Sequence, residues 1–171
     1  MFKAFFALAA ASLLAASPAF ALTEADAIAH NKLAEALTDR GIKLYTDAAD
    51  CKGGGLAGFY HSPSRSLVIC NKGSAKMTAA NLNTLRHETI HIIQDCKVGG
   101  LGDQRLGSVY NPTAIKNLAK SHNLDLPAIA AAYSARGANA QVVSLEYEAW
   151  TASVAYNADQ IRTKLEQTCR L

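Results

Sequence analysis

Between Leu82 and Cys96, apolar or small side chains recur at every third or fourth position, at Leu82, Leu85, Thr89, Ile92 or Ile93, and Cys96. That spacing lines up one face of an α-helix. Thr78 stands where an N-cap belongs, the stretch from Ala79 to Lys97 has no Gly or Pro, and Gly99-Gly100 punctuates its end. The pattern predicts a helix over 79–97. Upstream, Thr23 with Asp26 reads as a capping box opening a helix to about Asp39, with Gly41 as its stop. Downstream, Pro112 opens a helix ending near Ser121, Pro127 lies in the next short one, and a long helix is expected from Asn139 to about Thr168. Three short segments carry strand character instead: Ile42 to Thr46, Leu56 to His61 and Ser66 to Cys70. The last two flank Ser62-Pro63-Ser64-Arg65 and read as a hairpin. Gly53-Gly54-Gly55 lacks the Lys-Ser/Thr that a phosphate-binding loop needs and reads as a turn. From Gly99 to Pro112 periodicity is lost, which predicts a long surface loop bordering a cleft. The sum is an α+β fold: a small antiparallel or mixed sheet whose hairpin packs on the 79–97 helix, with a C-terminal helix alongside.

The beginning of the chain changes how much of it enters that fold. Lys3, the apolar run Phe5 to Ala16 and then Ala19-Phe20-Ala21 fit a secretory signal peptide over residues 1–21. The run is short for a membrane span. A single domain over 22–171 is then expected, delivered outside the cytoplasm, to the periplasm or the medium. The whole chain of 171 residues carries a formal charge of +3, and loss of Lys3 leaves +2. So small an excess gives no ground for nucleic-acid binding, or for membrane binding after the leader is removed. Four cysteines, Cys51, Cys70, Cys96 and Cys169, are an even number in an exported chain. Two disulfides are expected; of three connectivities, Cys51–Cys70 with Cys96–Cys169 is preferred. No Cys-x-x-Cys spacing points to a thiolate metal site.

The 79–97 helix carries the chemistry. His87-Glu88-Thr89-Ile90-His91 reads HExxH. Histidines four apart lie on one helix face, about one turn apart along the axis, so both imidazoles can close on one ion. Glu88 is rotated about 100° from His87, which suits a base reaching water at the metal rather than a ligand. A catalytic zinc takes three protein ligands and keeps a position open. The three-histidine variant needs a histidine six residues after His91, where Lys97 stands, and a glycine where Gln94 stands, so it is excluded.

The remaining option is a glutamate from a later helix, and Leu145-Glu146-Tyr147-Glu148 offers two about 200° apart. Glu146 is flanked on its face by Val142, Val143, Ala149 and Trp150, all apolar; Glu148 by Ser144, Leu145, Thr151 and Ala152. A carboxylate in an apolar stripe is costly unless paired or bound to a cation, which favours Glu146 as the third ligand over a buried ion pair.

With these residues in place, the chain resembles the gluzincin metallopeptidases, in which HExxH is followed by a helix bearing ExxA or ExxAD. Glu146 and Ala149 match ExxA, and His87 to Gln94 reads HExxHxxQ. The resemblance spans Leu56 to Trp150 and implies a minimal zincin-like domain with one Zn²⁺ held by His87, His91 and Glu146. Trp150 stands where many of these families carry Asp. The carboxylate that would orient a histidine is therefore missing from its usual place, and Asp95, Asn83, Thr84 and Gln94 are its substitutes. The expected activity is zinc-dependent hydrolysis of a peptide or protein substrate with Glu88 as general base. Tyr110, Tyr133, Tyr147, Tyr156 and His122 are able to stabilise an oxyanion, Tyr147 least because it points away from Glu146. The strand 66–70 has two equal readings: a sheet edge that would bind an extended peptide, or a core strand. His30 and His61, without ligand-spaced partners, read as solvated. Alternative readings are a non-catalytic metal-binding or interaction domain, and a hydrolase of non-peptide amides.

Overall fold

The computed structural model describes residues 8–11, 23–53, 55–74 and 76–170. Most of the segment read as a leader lies outside these. The exception is a strand β1 (Leu8–Ala11), followed by α1 (Glu24–Asp39), β2 (Lys43–Thr46), β3 (Leu56–His61) and β4 (Ser66–Ile69). Five helices complete the chain: α2 (Ala79–Val98), α3 (Pro112–Ser121), α4 (Leu126–Ser134), α5 (Ala140–Ala155) and α6 (Ala158–Thr168).

The fold is α+β, as the periodicities predict. Sheet order is β1-β3-β4-β2, with β3 antiparallel to β4 and β4 parallel to β2. β1 pairs antiparallel with β3 from within the 1–21 segment; the other three strands make the small mixed sheet. Strand β4 is therefore central, hydrogen-bonded on both sides: of the two readings of residues 66–70, it is the core strand and not the peptide-binding edge. Its apolar run reflects burial: Leu67, Val68 and Ile69 are all core residues.

Leu67, Ile69 and Tyr60 join the core that the helices cover. Gly58 lies directly beneath α2. A Cβ there would come within 2.5 Å of the Val68 carbonyl oxygen and 2.7 Å of Thr84 Cγ2, so only Gly allows helix and sheet to approach this closely.

Helix α2 starts at Thr78, whose capping box with Asn81 satisfies the first turn. Its burial exceeds the expected stripe. Nearly every side chain from Thr84 to Asp95 is covered, including His87, Glu88, Thr89, His91 and Gln94, because β3, α5 and α6 each pack against the helix. A helix enclosed by three neighbours has no wet face for its polar residues, so these must be satisfied inside.

The expected helix 139–168 is two. It breaks at Tyr156, whose backbone is extended, and restarts at Asn157, which forms a capping box with Gln160. The break lets α5 run along α2 while α6 packs between α2 and α1. Both favoured disulfides are present, Cys51–Cys70 and Cys96–Cys169, the second tying the end of α2 to the end of α6. His30 is buried rather than solvated. Its Nδ1 lies 2.6 Å from the Asp26 carbonyl and its Nε2 2.7 Å from Arg86 Nη1, so the imidazole bridges α1 to α2. An Arg donor on Nε2 requires the proton on Nδ1, which then donates to the carbonyl. His61 is partly exposed and pairs with Ser64 in the hairpin turn.

Candidate metal centre

His87 and His91 project from the middle of α2 towards α5, which brings Glu146 to them. The two Nε2 atoms are 3.2 Å apart, His87 Nε2 is 3.3 Å from Glu146 Oε2, and His91 Nε2 is 3.5 Å from Glu146 Oε1. Tetrahedral coordination with bonds of about 2.0–2.1 Å has edges of about 3.3 Å between ligand atoms. The imidazole nitrogens are spaced close to such an edge, and the Glu146 carboxylate lies across both, one oxygen towards each. His87, His91 and Glu146 are a buried group that could hold one metal ion.

Hydrogen bonding supports the fit. Both oxygens of Glu146 and both of Glu88 are buried without a hydrogen-bond partner among the described residues, as is His87 Nδ1. Glu146 faces only the two imidazoles, and a cation bound there would satisfy its carboxylate in place of a proton on His91.

Charge and burial oppose each other at each group. Burial lowers the His87 pKa and keeps that imidazole neutral. Burial also pulls on His91, but the Glu146 carboxylate outweighs it and raises His91 to about 9. For Glu146 burial pushes upward, yet the imidazoles hold it well below the usual carboxylate range. Glu88 is pushed up to about 8, chiefly by burial. A metal must displace the His91 proton, since only neutral imidazole binds. Apparent affinity for a metal ion is therefore expected to climb by up to about tenfold per pH unit between pH 7 and 9, levelling above the His91 pKa. Competition titration against a chelator of known pH dependence reads this slope; an affinity flat across that range contradicts it.

Around the ligands, Gln94 is the substitute orienting group that the sequence left open among four. Its Oε1 lies 2.7 Å from His91 Nδ1. The others are engaged elsewhere: Asp95 with Tyr60, Ser62 and the Gly102 amide, Asn83 with Arg86, Thr84 with the Ala80 carbonyl. His87 has no such partner among the described residues. The Trp150 ring meets its ring edge-on at 4.8 Å between centroids, so an indole and not a carboxylate stands beside His87 at position 150. Glu148 lies off the ligand group, as the helix faces predict. It is nonetheless buried, which its mixed flanking residues did not foretell.

Of the five groups considered for an oxyanion, Tyr133 is the one brought to the site. Its hydroxyl accepts from Trp150 Nε1 at 3.3 Å. Burial, and then the Glu146 carboxylate beside it, raise its pKa far above the usual phenol. Tyr110 and Tyr156 stack on each other, and His122 caps the end of α3. Nothing in the sequence pattern singled out Tyr133, because its proximity depends on how α4 folds back over α5.

That packing also closes the centre. Ile129 and Tyr133 of α4 form an apolar cluster with Trp150, joined by Val143 and Tyr147. His87 and His91 are 1% exposed, and Glu88 and Glu146 0%.

Comparison of the chain with protein-family models, with curated proteins and with solved structures gives no match. The functional reading therefore rests on the centre itself.

Proposed function

We propose that this chain is a zinc-dependent hydrolase of peptide bonds, related to the gluzincins and acting outside the cytoplasm once residues 1–21 are removed. The observation that carries this is the convergence of two buried imidazole nitrogens and a buried carboxylate, with separations of 3.2, 3.3 and 3.5 Å, and a second buried carboxylate, Glu88, beside them without a hydrogen-bond partner among the described residues. A purely structural site has no use for that second carboxylate.

Zinc bound to His87, His91 and Glu146 would polarise the scissile carbonyl and acidify the attacking water towards a pKa of about 7. Glu88 accepts the proton of that water on its carboxylate and returns it to the leaving amine nitrogen. Burial raises the Glu88 pKa in the metal-free chain, and a bound cation would draw it back down, leaving the carboxylate ionised for the first transfer. Tyr133 offers a hydroxyl beside Glu146 for the oxygen that becomes negative. The two disulfides fit an oxidising compartment, and no described helix is long and apolar enough to cross a membrane.

Digestion of a broad peptide library tests the proposal. Wild type with one equivalent of zinc should cleave it, while Glu88→Ala should bind zinc normally and lose at least the ~100-fold that a general base contributes. Equal cleavage by the two proteins would remove Glu88 from the mechanism, and no cleavage by wild type would favour the second reading.

That second reading, a closed non-catalytic metal centre, is favoured by one observation: the near-zero exposure of all four side chains. Hydrolysis therefore requires opening. Helix α4 is the element to move, since its cluster is separate from the main core and it is bounded by left-handed Asn123 (φ 54°) and Gly137 (φ 85°). Amides of α4 are expected to exchange with deuterium faster than those of α5, by hydrogen exchange with mass spectrometry; equal protection of both helices would point to the closed reading.

A further inference from the structure

The loop from Gly99 to Asn111 reaches the metal ligands through a carboxylate that does not itself face the metal. Glu148 is 2% exposed and receives hydrogen bonds from four groups. Val109 N–H donates to Oε1 at 2.8 Å and Tyr110 N–H to Oε2 at 3.3 Å. Ser108 Oγ bonds Oε2, and Gln94 Nε2 donates to Oε1 at 3.2 Å.

The bonds of Gln94 leave it one orientation. Its amide nitrogen has two hydrogens, one donated to Glu148 Oε1 and the other to the Leu145 carbonyl at 3.1 Å. With both donors committed to acceptors, the amide cannot flip. Its oxygen must face His91 Nδ1, at 2.7 Å. An oxygen in that place requires a proton on Nδ1, which leaves the Nε2 lone pair of the neutral ring for the metal. If the amide flipped, its nitrogen would stabilise the opposite tautomer, with Nε2 protonated and unable to bind.

We infer that Glu148 is a positioning residue: by anchoring Ser108, Val109 and Tyr110 and fixing the orientation of Gln94, it selects the metal-binding tautomer of His91. The same loop is tied to α2 close by, where the Gly107 amide donates to the Gln94 carbonyl and the Gly102 amide to Asp95. Seating of the loop and readiness of the ligand are thus one event. The inference rests on the metal-binding reading of His91 and gives that reading a means of control from outside the ligand set.

Glu148→Gln is the test, because it keeps shape while placing an amide nitrogen against existing donors in either orientation. At one end that nitrogen meets Gln94 Nε2 and the Val109 amide, and at the other the Tyr110 amide. Zinc affinity is expected to fall by about 10- to 100-fold, the usual cost of losing a partner behind a ligand. Gln94→Leu should show a similar loss, and the double variant no more than the larger single, since both act through one path. A purely structural role would give additive losses, or a lower Tm with unchanged affinity.

The second readout is the His91 Nδ1–H resonance in ¹⁵N-histidine-labelled protein. It should be slow-exchanging and hydrogen-bonded in wild type with or without zinc, and lost in Glu148→Gln. Ser108→Ala, a milder change at the loop, should weaken zinc in the same direction. An affinity within about twofold of wild type together with an unchanged resonance would overturn the inference while leaving the metal centre standing. A wild type that shows the resonance but binds no zinc would overturn the metal reading, and the tautomer's role with it.

Discussion

Replacing Glu146 by alanine should reduce zinc affinity by more than the roughly 100-fold that marks the upper end for an outer partner, and more than any substitution of Glu148. Two imidazoles 3.2 Å apart remain in the variant, so weak binding persists, but the third protein ligand is gone. The proton balance changes as well. Without the Glu146 carboxylate, burial governs His91, and its pKa should drop from about 9 to below the ordinary imidazole value. The variant should thus lose the steep rise of zinc affinity between about pH 7 and 9. Isothermal or competition titration of Glu146→Ala and Glu148→Ala side by side reads both effects. A larger loss in Glu148→Ala would mean that the wrong glutamate has been assigned to the metal.

The second large effect is expected from the Cys96–Cys169 disulfide. It closes a span of 73 residues, for which chain entropy gives about 4 kcal/mol of stabilisation, against about 3 for the 19 residues closed by Cys51–Cys70. Serine at both Cys96 and Cys169 should lower Tm by roughly 8–16 °C for a domain of this size. The location matters for function too. Cys96 directly follows Asp95, which gathers Tyr60, Ser62 and the loop amide of Gly102, and it lies less than one turn beyond Gln94. Freeing the end of α2 from α6 should therefore also loosen His91. Calorimetry of the double variant with and without zinc measures the stability loss; a Tm within about 2 °C of wild type would show that helix packing alone holds that end.

What is legible in the chain, and what is not, divides along a physical line. Helix boundaries set by local chemistry are legible: Thr23 and Thr78 cap the helices they are expected to open, Pro112 opens α3 behind its cap Asn111, and Gly41 takes the positive φ of a stop. The grouping of His87, His91 and Glu146 is legible because spacing on a helix fixes direction, and an apolar neighbourhood makes Glu146 costly without a partner. The sequence leaves residues 66–70 divided between edge and core strand because strand order is a long-range property. β2 pairs with β4 although β3 lies between them in the chain, and local pattern does not report that. His30 departs from expectation for the same reason: its partner Arg86 comes from another helix. Glu148 illustrates the limit most directly. Its helix neighbours are mixed, and its burial follows from loop amides that fold over it. Tyr133 likewise owes its position to α4, whose sequence signals a helix and nothing about what that helix covers.

The most direct test of the account is the metal content of the purified chain lacking residues 1–21, measured by plasma mass spectrometry after dialysis against trace zinc. The account predicts one zinc per wild-type and per Glu88→Ala chain, and a content near zero for His87→Ala, His91→Ala and Glu146→Ala at the same free zinc. No zinc in a folded wild type, or one equivalent retained by all three ligand variants, would contradict it.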